Sequence, residues 1–223
     1  QPQLVILGIG SQSTIIEKFA ELGVETILVD NETLDDYLKW VKIIANLNSK
    51  PEIYDEVIET VLKPVQEILL KVPAENHPKA LMMQVNDKGT LVAYLPGTTA
   101  GGIMDDLKGE NIAVKSTNRE HDRASGIDKT DLSFEYLLED PPQLILLKHS
   151  VLADGVKARE LVAEVLAENA IWQSLDAVIQ DEIYDLPTDY FYYKATLEFP
   201  QAYEYMAKIL YPEIFGAQSK EYE

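Results

Sequence analysis

Cysteine is absent from this chain of 223 residues, which removes disulfides, thiol nucleophiles, zinc–thiolate sites and cysteine-ligated iron–sulfur clusters together. Histidine is scarce, with only His77, His121 and His149, and arginine equally so, with only Arg119, Arg123 and Arg159. Positive charge is short throughout: 19 Lys and Arg stand against 38 Asp and Glu, for a net charge of −19. Binding to nucleic acid or to an anionic membrane draws on clustered Lys and Arg, so both are excluded as partners. No apolar run is long enough to cross a bilayer, and the start is not signal-like. Export stays open, because a trimmed chain would lack a signal, and a lipid anchor upstream of these residues would be the only link to a membrane. What is present, 46% hydrophobic and 26% charged residues, belongs to a globular protein with room for one large domain or two small ones.

The organising stretch is PEIYDEVIETVLKPVQEILLKV, residues 51–72. Its apolar residues Tyr54, Val57, Ile58, Val61, Val65, Ile68, Leu69 and Val72 recur at steps of three and four, which draws one stripe along a helix. Glu52, Asp55 and Glu56 suit its positive amino end and Lys71 its carboxyl end. Such a helix spans about 30 Å, the width of a small domain. Pro64 lacks an N–H and crowds the carbonyl of Thr60, so a kink or break is expected there.

Both flanks read as α/β. Before the helix, QLVILGI is a continuous apolar run suited to a strand buried on both faces, as in a parallel sheet. A helix over residues 14–22 follows, closed by Gly23. Then come the strand ETILVD and a helix over residues 34–46, capped by Thr33 or Asn31. Two strands are too few for a covered sheet, so this first lobe reads as incomplete. After the helix, KALMMQV is a strand, and residues 91–95 form a second short one. Residues 98–102 are a Gly/Thr loop before a helix near residues 103–107. Beyond a polar stretch, KSTNREHDRASG, lie the short helix FEYLLE and the buried strand QLILL. A helix over residues 156–167, a strand near 182–186, the loop PTDYFYYK and a helix over 200–210 complete the chain. The predicted division is a partial amino-terminal α/β lobe (1–50), a linking helix (51–73) and a carboxyl-terminal α/β lobe (74–223).

Motifs that carry chemistry are few. Gly8-Ile-Gly-Ser-Gln-Ser is strand-then-turn but lacks the third glycine of a dinucleotide fingerprint and the lysine of a P-loop, so it reads as a cleft-facing loop. His149 follows a buried strand, where α/β proteins place functional groups, though one histidine makes no metal site. His121 sits among Glu120 and Asp122, neighbours too close in sequence to converge on one ion. The run Tyr190-Phe191-Tyr192-Tyr193 cannot all face a core, so part of it is exposed and reads as ligand or partner contact, with plain packing as the alternative.

In order and spacing, PQLVILG, ELGVETILVD, LDDYLKWVKIIANL, the long helix, GGIMDDLKGENIA, DLSFEYLLEDPPQLILL, WQSLDAVIQDEIYDLPTDYF and AKILYPEIF resemble substrate-binding proteins of ABC importers. The class is the one that handles iron–siderophores, haem and cobalamin, and the resemblance runs nearly end to end. It implies two α/β lobes with parallel-type sheets joined by one rigid helix, a ligand cleft between them and no catalytic residues or resident cofactor. Such proteins work outside the cytoplasm and deliver their ligand to the importer's permease. Members usually carry some tens of residues more before the first strand here, and Pro64 is unusual for a stiff helix.

By the same resemblance, Gly10, Ser11 and Gln12 line the cleft on one side. Tyr94, Thr98, Thr99, Arg119, Arg123, Lys148, His149, Asp189, Tyr190 and Phe191 line it on the other, and Glu135 docks on the permease. Aromatic walls with a few donors suit large flat or hydroxamate-type ligands, and Arg119, Arg123, Lys148 and Lys194 suit an anionic iron complex. Haem would take Tyr190, Tyr192 or His149 as its axial ligand. Three rivals remain: a binder of a bare divalent metal ion, a nitrogenase- or chelatase-like enzyme fold without its cluster, and an interaction module that kept the fold and lost the ligand.

Overall fold

The two apolar runs that open the chain lie side by side as parallel strands. In the computed structural model, which describes residues 2–8, 13–30, 32–85, 91–115, 129–131, 134–148, 158–191 and 197–220, β1 (Leu4–Gly8) pairs with β2 (Glu25–Val29), Leu4 opposite Glu25. Helix α1 (Ser13–Glu21) joins them and is stopped by Gly23 at φ 67°, a left-handed conformation that favours glycine. Helix α2 (Leu34–Leu47) starts at Thr33, whose hydroxyl oxygen accepts the Asp36 N–H at 3.3 Å. β1 was expected to be buried on both faces and is not. Each of its residues is partly exposed, Ile6 at 39%, and Leu28 on β2 stands 48% exposed. With β2 as the only strand paired to it among the described residues, one face stays thinly covered.

The long helix forms as α3 (Glu52–Val57), a π-helical turn (Ile58–Leu62) and α4 (Lys63–Leu69), in sequence without a break. The Lys63 N–H donates to the carbonyl of Ile58, five residues back. Pro64 cannot complete an ordinary ladder, and widening it by one residue just ahead of the proline removes the crowding at Thr60. The expected kink is thus absorbed as a π turn. Val57, Val61 and Val65 remain on one face and are buried, each contributing roughly 1.5–3 kcal/mol relative to exposure. The helix ends at Leu69, three residues before the expected limit.

The larger sheet has the order β6–β4–β3–β7–β8, built from β3 (Lys79–Val85), β4 (Leu91–Tyr94), β6 (Lys129–Asp131), β7 (Leu144–Lys148) and β8 (Ile183–Leu186). A short β5 (Glu110–Asn111) pairs with the first residues of β3. β3, β7 and β8 are parallel, whereas β4 runs antiparallel to both β3 and β6, so the sheet is mixed. Five residues between two strands are too few for a parallel crossover, in keeping with the antiparallel pairing of β4 on β3.

Alternation sorts the strands onto two cores. Ala80, Met82, Leu144, Leu146 and Leu186 face α4, α5 (Thr99–Asp106), α10 (Thr188–Phe191) and α11 (Phe199–Leu210). Leu81, Met83, Ala93, Ile145 and Leu147 face α7 (Ala158–Val165), α8 (Ala170–Ser174), α9 (Asp176–Ile179) and α6 (Phe134–Glu139). The Gly/Thr loop expected over residues 98–102 is instead a cap and first turn of α5, and the expected loop after Pro187 holds α10. A final turn, α12 (Pro212–Phe215), ends the helical part. Among the described residues no helix is long and apolar enough to cross a membrane.

Candidate ligand cleft

At the carboxyl edge of β7 the alternation Leu144, Leu146, Lys148 puts a lysine where the two preceding residues are core leucines. Lys148 is only 7% exposed. Its ammonium stands 4.6 Å above the ring of Tyr94, a cation–π arrangement, while its stem continues the leucine row. Tyr94, 1% exposed, donates its hydroxyl hydrogen to the side-chain carbonyl of Gln84. The parallel register sets Met83 beside Leu147 and Lys148 beside Leu186, so Gln84, one residue short of the end of β3, Lys148 and Leu186 lie at the carboxyl ends of three adjacent strands. In parallel sheets this edge is where ligands bind.

Past Leu186, the first two residues of the aromatic run, expected in a loop, lie in α10. Asp189 is exposed, Tyr190 is half-buried and Phe191 is fully buried. Phe191 meets the Tyr205 ring at 5.9 Å and Tyr190 at 6.4 Å, and Tyr190 lies 6.2 Å from Tyr205. Phe191 therefore packs in the core, whereas Asp189 and Tyr190 beside it keep accessible surface. The packing alternative holds for this residue because one helical turn, unlike a loop, sends neighbouring side chains in different directions.

The small sheet meets the larger one at the turn after β2. Glu32 Oε2 accepts the hydroxyl hydrogen of Thr99 at 3.0 Å, and Thr99 is 4% exposed. The Thr98 hydroxyl accepts the Gly101 N–H at 3.1 Å and donates to the Leu95 carbonyl at 2.9 Å, which caps α5. Gly102 lies against Thr33, where a Cβ would meet Thr33 Cγ2 at 3.2 Å. The rings of Tyr37 and Phe199, 5.8 Å apart, extend this junction. Both predicted threonines are buried and bonded at the start of α5. Glu32 was not among the predicted residues, although its place just after a strand and before a capped helix could have marked it.

Gly10, Ser11, Gln12, Arg119, Arg123 and His149 lie outside the described residues, as do Tyr192, Tyr193 and Lys194. Glu135 is exposed on the first turn of α6, a helix anchored by the fully buried Leu137. Among the described residues no group of three or more His, Asp or Glu is placed to hold a metal ion. His77 is at the opposite edge of the sheet, its Nε2 3.3 Å from the Pro73 carbonyl. A hollow of about 460 Å³ on the outer face is walled by Leu147, Val162 and Trp172, and one of about 810 Å³ lies beside His77 and Tyr211. Neither is lined by a residue predicted for the cleft.

Burial pushes the Asp106 carboxyl up, against the pull of the Tyr203 hydroxyl that donates to it, and Asp105 and Asp35 add to the rise. Burial, then the Asp106 charge, pushes the Tyr203 phenol up as well. At the opposite edge, where β3 begins, hydrogen bonds from Lys79 and Lys115 hold the Asp140 carboxyl down at about 2.

Residues 1–190 match the sequence model of the family described as Periplasmic binding protein. No curated protein matches in sequence. Among solved structures, an ABC transporter substrate-binding protein from Listeria monocytogenes EGD-e is similar at TM-score 0.75 and 20% identity, over 94% of this chain and 77% of that one. IsdE of S. aureus, complexed with heme, gives 0.75 and 19% over the same shares. The vitamin B12 binding protein BtuF of Vibrio cholerae gives 0.67 and 18%, over 97% of this chain and 76% of that one.

Proposed function

Because this chain belongs to the Periplasmic binding protein family, a family of binding proteins rather than enzymes, we propose that it captures an iron complex outside the cytoplasm and delivers it to the permease of an ABC importer. The complex is a siderophore, haem or a related chelate. Residues 1–50 and 74–223 act as two lobes and residues 51–73 as the link between them. The observation that carries this reading is the group of buried Lys148 and Tyr94 with half-buried Gln84 at the carboxyl edge of the larger sheet, together with the Glu32–Thr99 junction with the smaller one. An aromatic wall with a few fixed polar groups suits a large chelate. The heme and vitamin B12 ligands of IsdE and BtuF support the same class.

The test is quenching of Trp40 and Trp172 fluorescence by ferric siderophores, haem, cobalamin and divalent metals. Saturable quenching by an iron complex at micromolar or lower concentration is expected, whereas a response to bare metal ions alone would replace this reading with metal-ion capture. In the permease-docking role, Glu135→Ala leaves solute affinity intact and lowers uptake by cells. Normal uptake by that variant would discard the role.

A further inference from the structure

We propose that the hollow between α7, α8 and the outer face of the larger sheet is a second binding site, separate from the cleft, for a molecule with an apolar body and a protonated amine. Its volume of about 460 Å³ falls within the range of about 300–1,000 Å³ of small-molecule sites, whereas packed interiors keep few voids larger than a water molecule. Leu147, Val162 and Trp172 are no more than 2% exposed and so form its deepest part. All three belong to the core on this side of the sheet. A solvent-filled hollow over that core leaves apolar groups against water, and an apolar body would displace it.

Bonds on either side hold the walls in place. Arg159 of α7 donates from Nη1 to the Ile183 carbonyl at 2.7 Å and from Nη2 to the Asp181 carboxylate, which ties α7 to β8 and to the turn before it. On α8, the Asn169 side-chain oxygen accepts the Trp172 N–H at 2.9 Å. A site built this way needs little ordering when a ligand arrives. The polar lining sets the ligand's charge. Glu160, Gln173 and Asp181 are exposed and mark the mouth. Among the described lining residues Arg159 is one cation against the two carboxylates Glu160 and Asp181. Lys220, which reaches the Asp181 carbonyl, is paired with Glu182 at 3.2 Å. The chain's net charge of −19 acts in the same sense. An ammonium is therefore favoured at the mouth and a carboxylate repelled, while the apolar interior calls for a hydrocarbon or aromatic body rather than a bare cation.

Calorimetric titration of the whole chain with phenylbutylamine, phenylbutanol and phenylbutyrate, which share one body and differ in charge, tests this. The amine should bind at least about tenfold more tightly than the butyrate, with the alcohol between them. Glu160→Gln should weaken the amine about threefold and leave the alcohol unchanged. Ala163→Phe, which adds a ring to the hollow from α7, should remove detectable binding of all three, whereas Tyr190→Ala, at the cleft, should weaken none. If thermal melts show Ala163→Phe misfolded, Gln173→Phe serves the same comparison from α8. Equal binding of the three probes, binding that survives the added ring in a folded variant, amine binding lost with Tyr190→Ala, or no binding at millimolar probe each overturns the inference. Solute capture at the cleft is read separately by the chelate titrations and stands or falls on those.

Discussion

Gly101 and Gly102 are adjacent in α5, and the same substitution should act differently at each. In a helix interior, Gly→Ala ordinarily gains about 1 kcal/mol. At Gly101 the added Cβ would lie 2.6 Å from the Leu95 carbonyl carbon and closer still to its oxygen. That is backbone, so α5 must move by about an ångström to restore van der Waals contact. The Thr98 hydroxyl bonds both the Gly101 N–H and the Leu95 carbonyl, so the move breaks the cap, at about 1 kcal/mol. Overpacking of this kind adds about 1–3 kcal/mol. Gly101→Ala should therefore destabilise by about 1–3 kcal/mol after the helix gain is counted. At Gly102 the Cβ would meet Thr33 Cγ2 at 3.2 Å and the Pro96 oxygen at 3.3 Å. Thr33 is held by its cap bond, so α2 and α5 must shift slightly, and stability should stay within about 1 kcal/mol of wild type. Urea unfolding followed by Trp40 and Trp172 fluorescence measures both. A Gly101→Ala protein as stable as wild type, or a Gly102→Ala protein destabilised by clearly more than about 1 kcal/mol, would refute the geometry.

Other perturbations follow from the same contacts. Asp106 binds its proton more tightly in the folded chain, so its contribution is present below the ordinary carboxylate range and lost as pH rises through the raised value. Asp106→Asn should flatten that part of the stability–pH curve in denaturant titrations between pH 4 and 8; an unchanged slope would discount Asp106. Asp140 has the opposite sign: its contribution is present above the ordinary value near 4 and lost as pH falls towards 2. Asp140→Asn should make stability less sensitive to acid over that window, by an amount kept small because the pairs with Lys79 and Lys115 are solvent-screened. Tyr190→Ala should weaken solute binding at least tenfold, about 1.4 kcal/mol, with a small change in stability. Phe191→Ala should cost about 3–5 kcal/mol of stability, because its ring is fully buried; equal effects of the two on folding would contradict their different burial.

The order of elements, the α/β class and the long helix were legible in the sequence because each rests on local patterning. Apolar runs marked β1, β2, β3 and β7, steps of three and four marked the buried face of the long helix, and Thr33 and Gly23 marked helix ends. What lay beyond reach depends on which groups the fold brings together. Pro64 announced a disturbance, but the π turn that absorbs it is the form that keeps Val57, Val61 and Val65 on one buried face. The antiparallel course of β4 followed from a connection too short for a crossover. Four adjacent aromatic residues look alike in sequence, and only the turn of α10 against Tyr205 buries Phe191 while leaving part of Tyr190 open. Lys148 could be placed at a strand end from sequence, yet its burial above Tyr94 is set by a hairpin and a parallel neighbour more than fifty residues apart. Glu32 met Thr99 for the same reason: a bond across 67 positions has no local signature, because local pattern determines which face a side chain takes and only tertiary packing determines what it meets there.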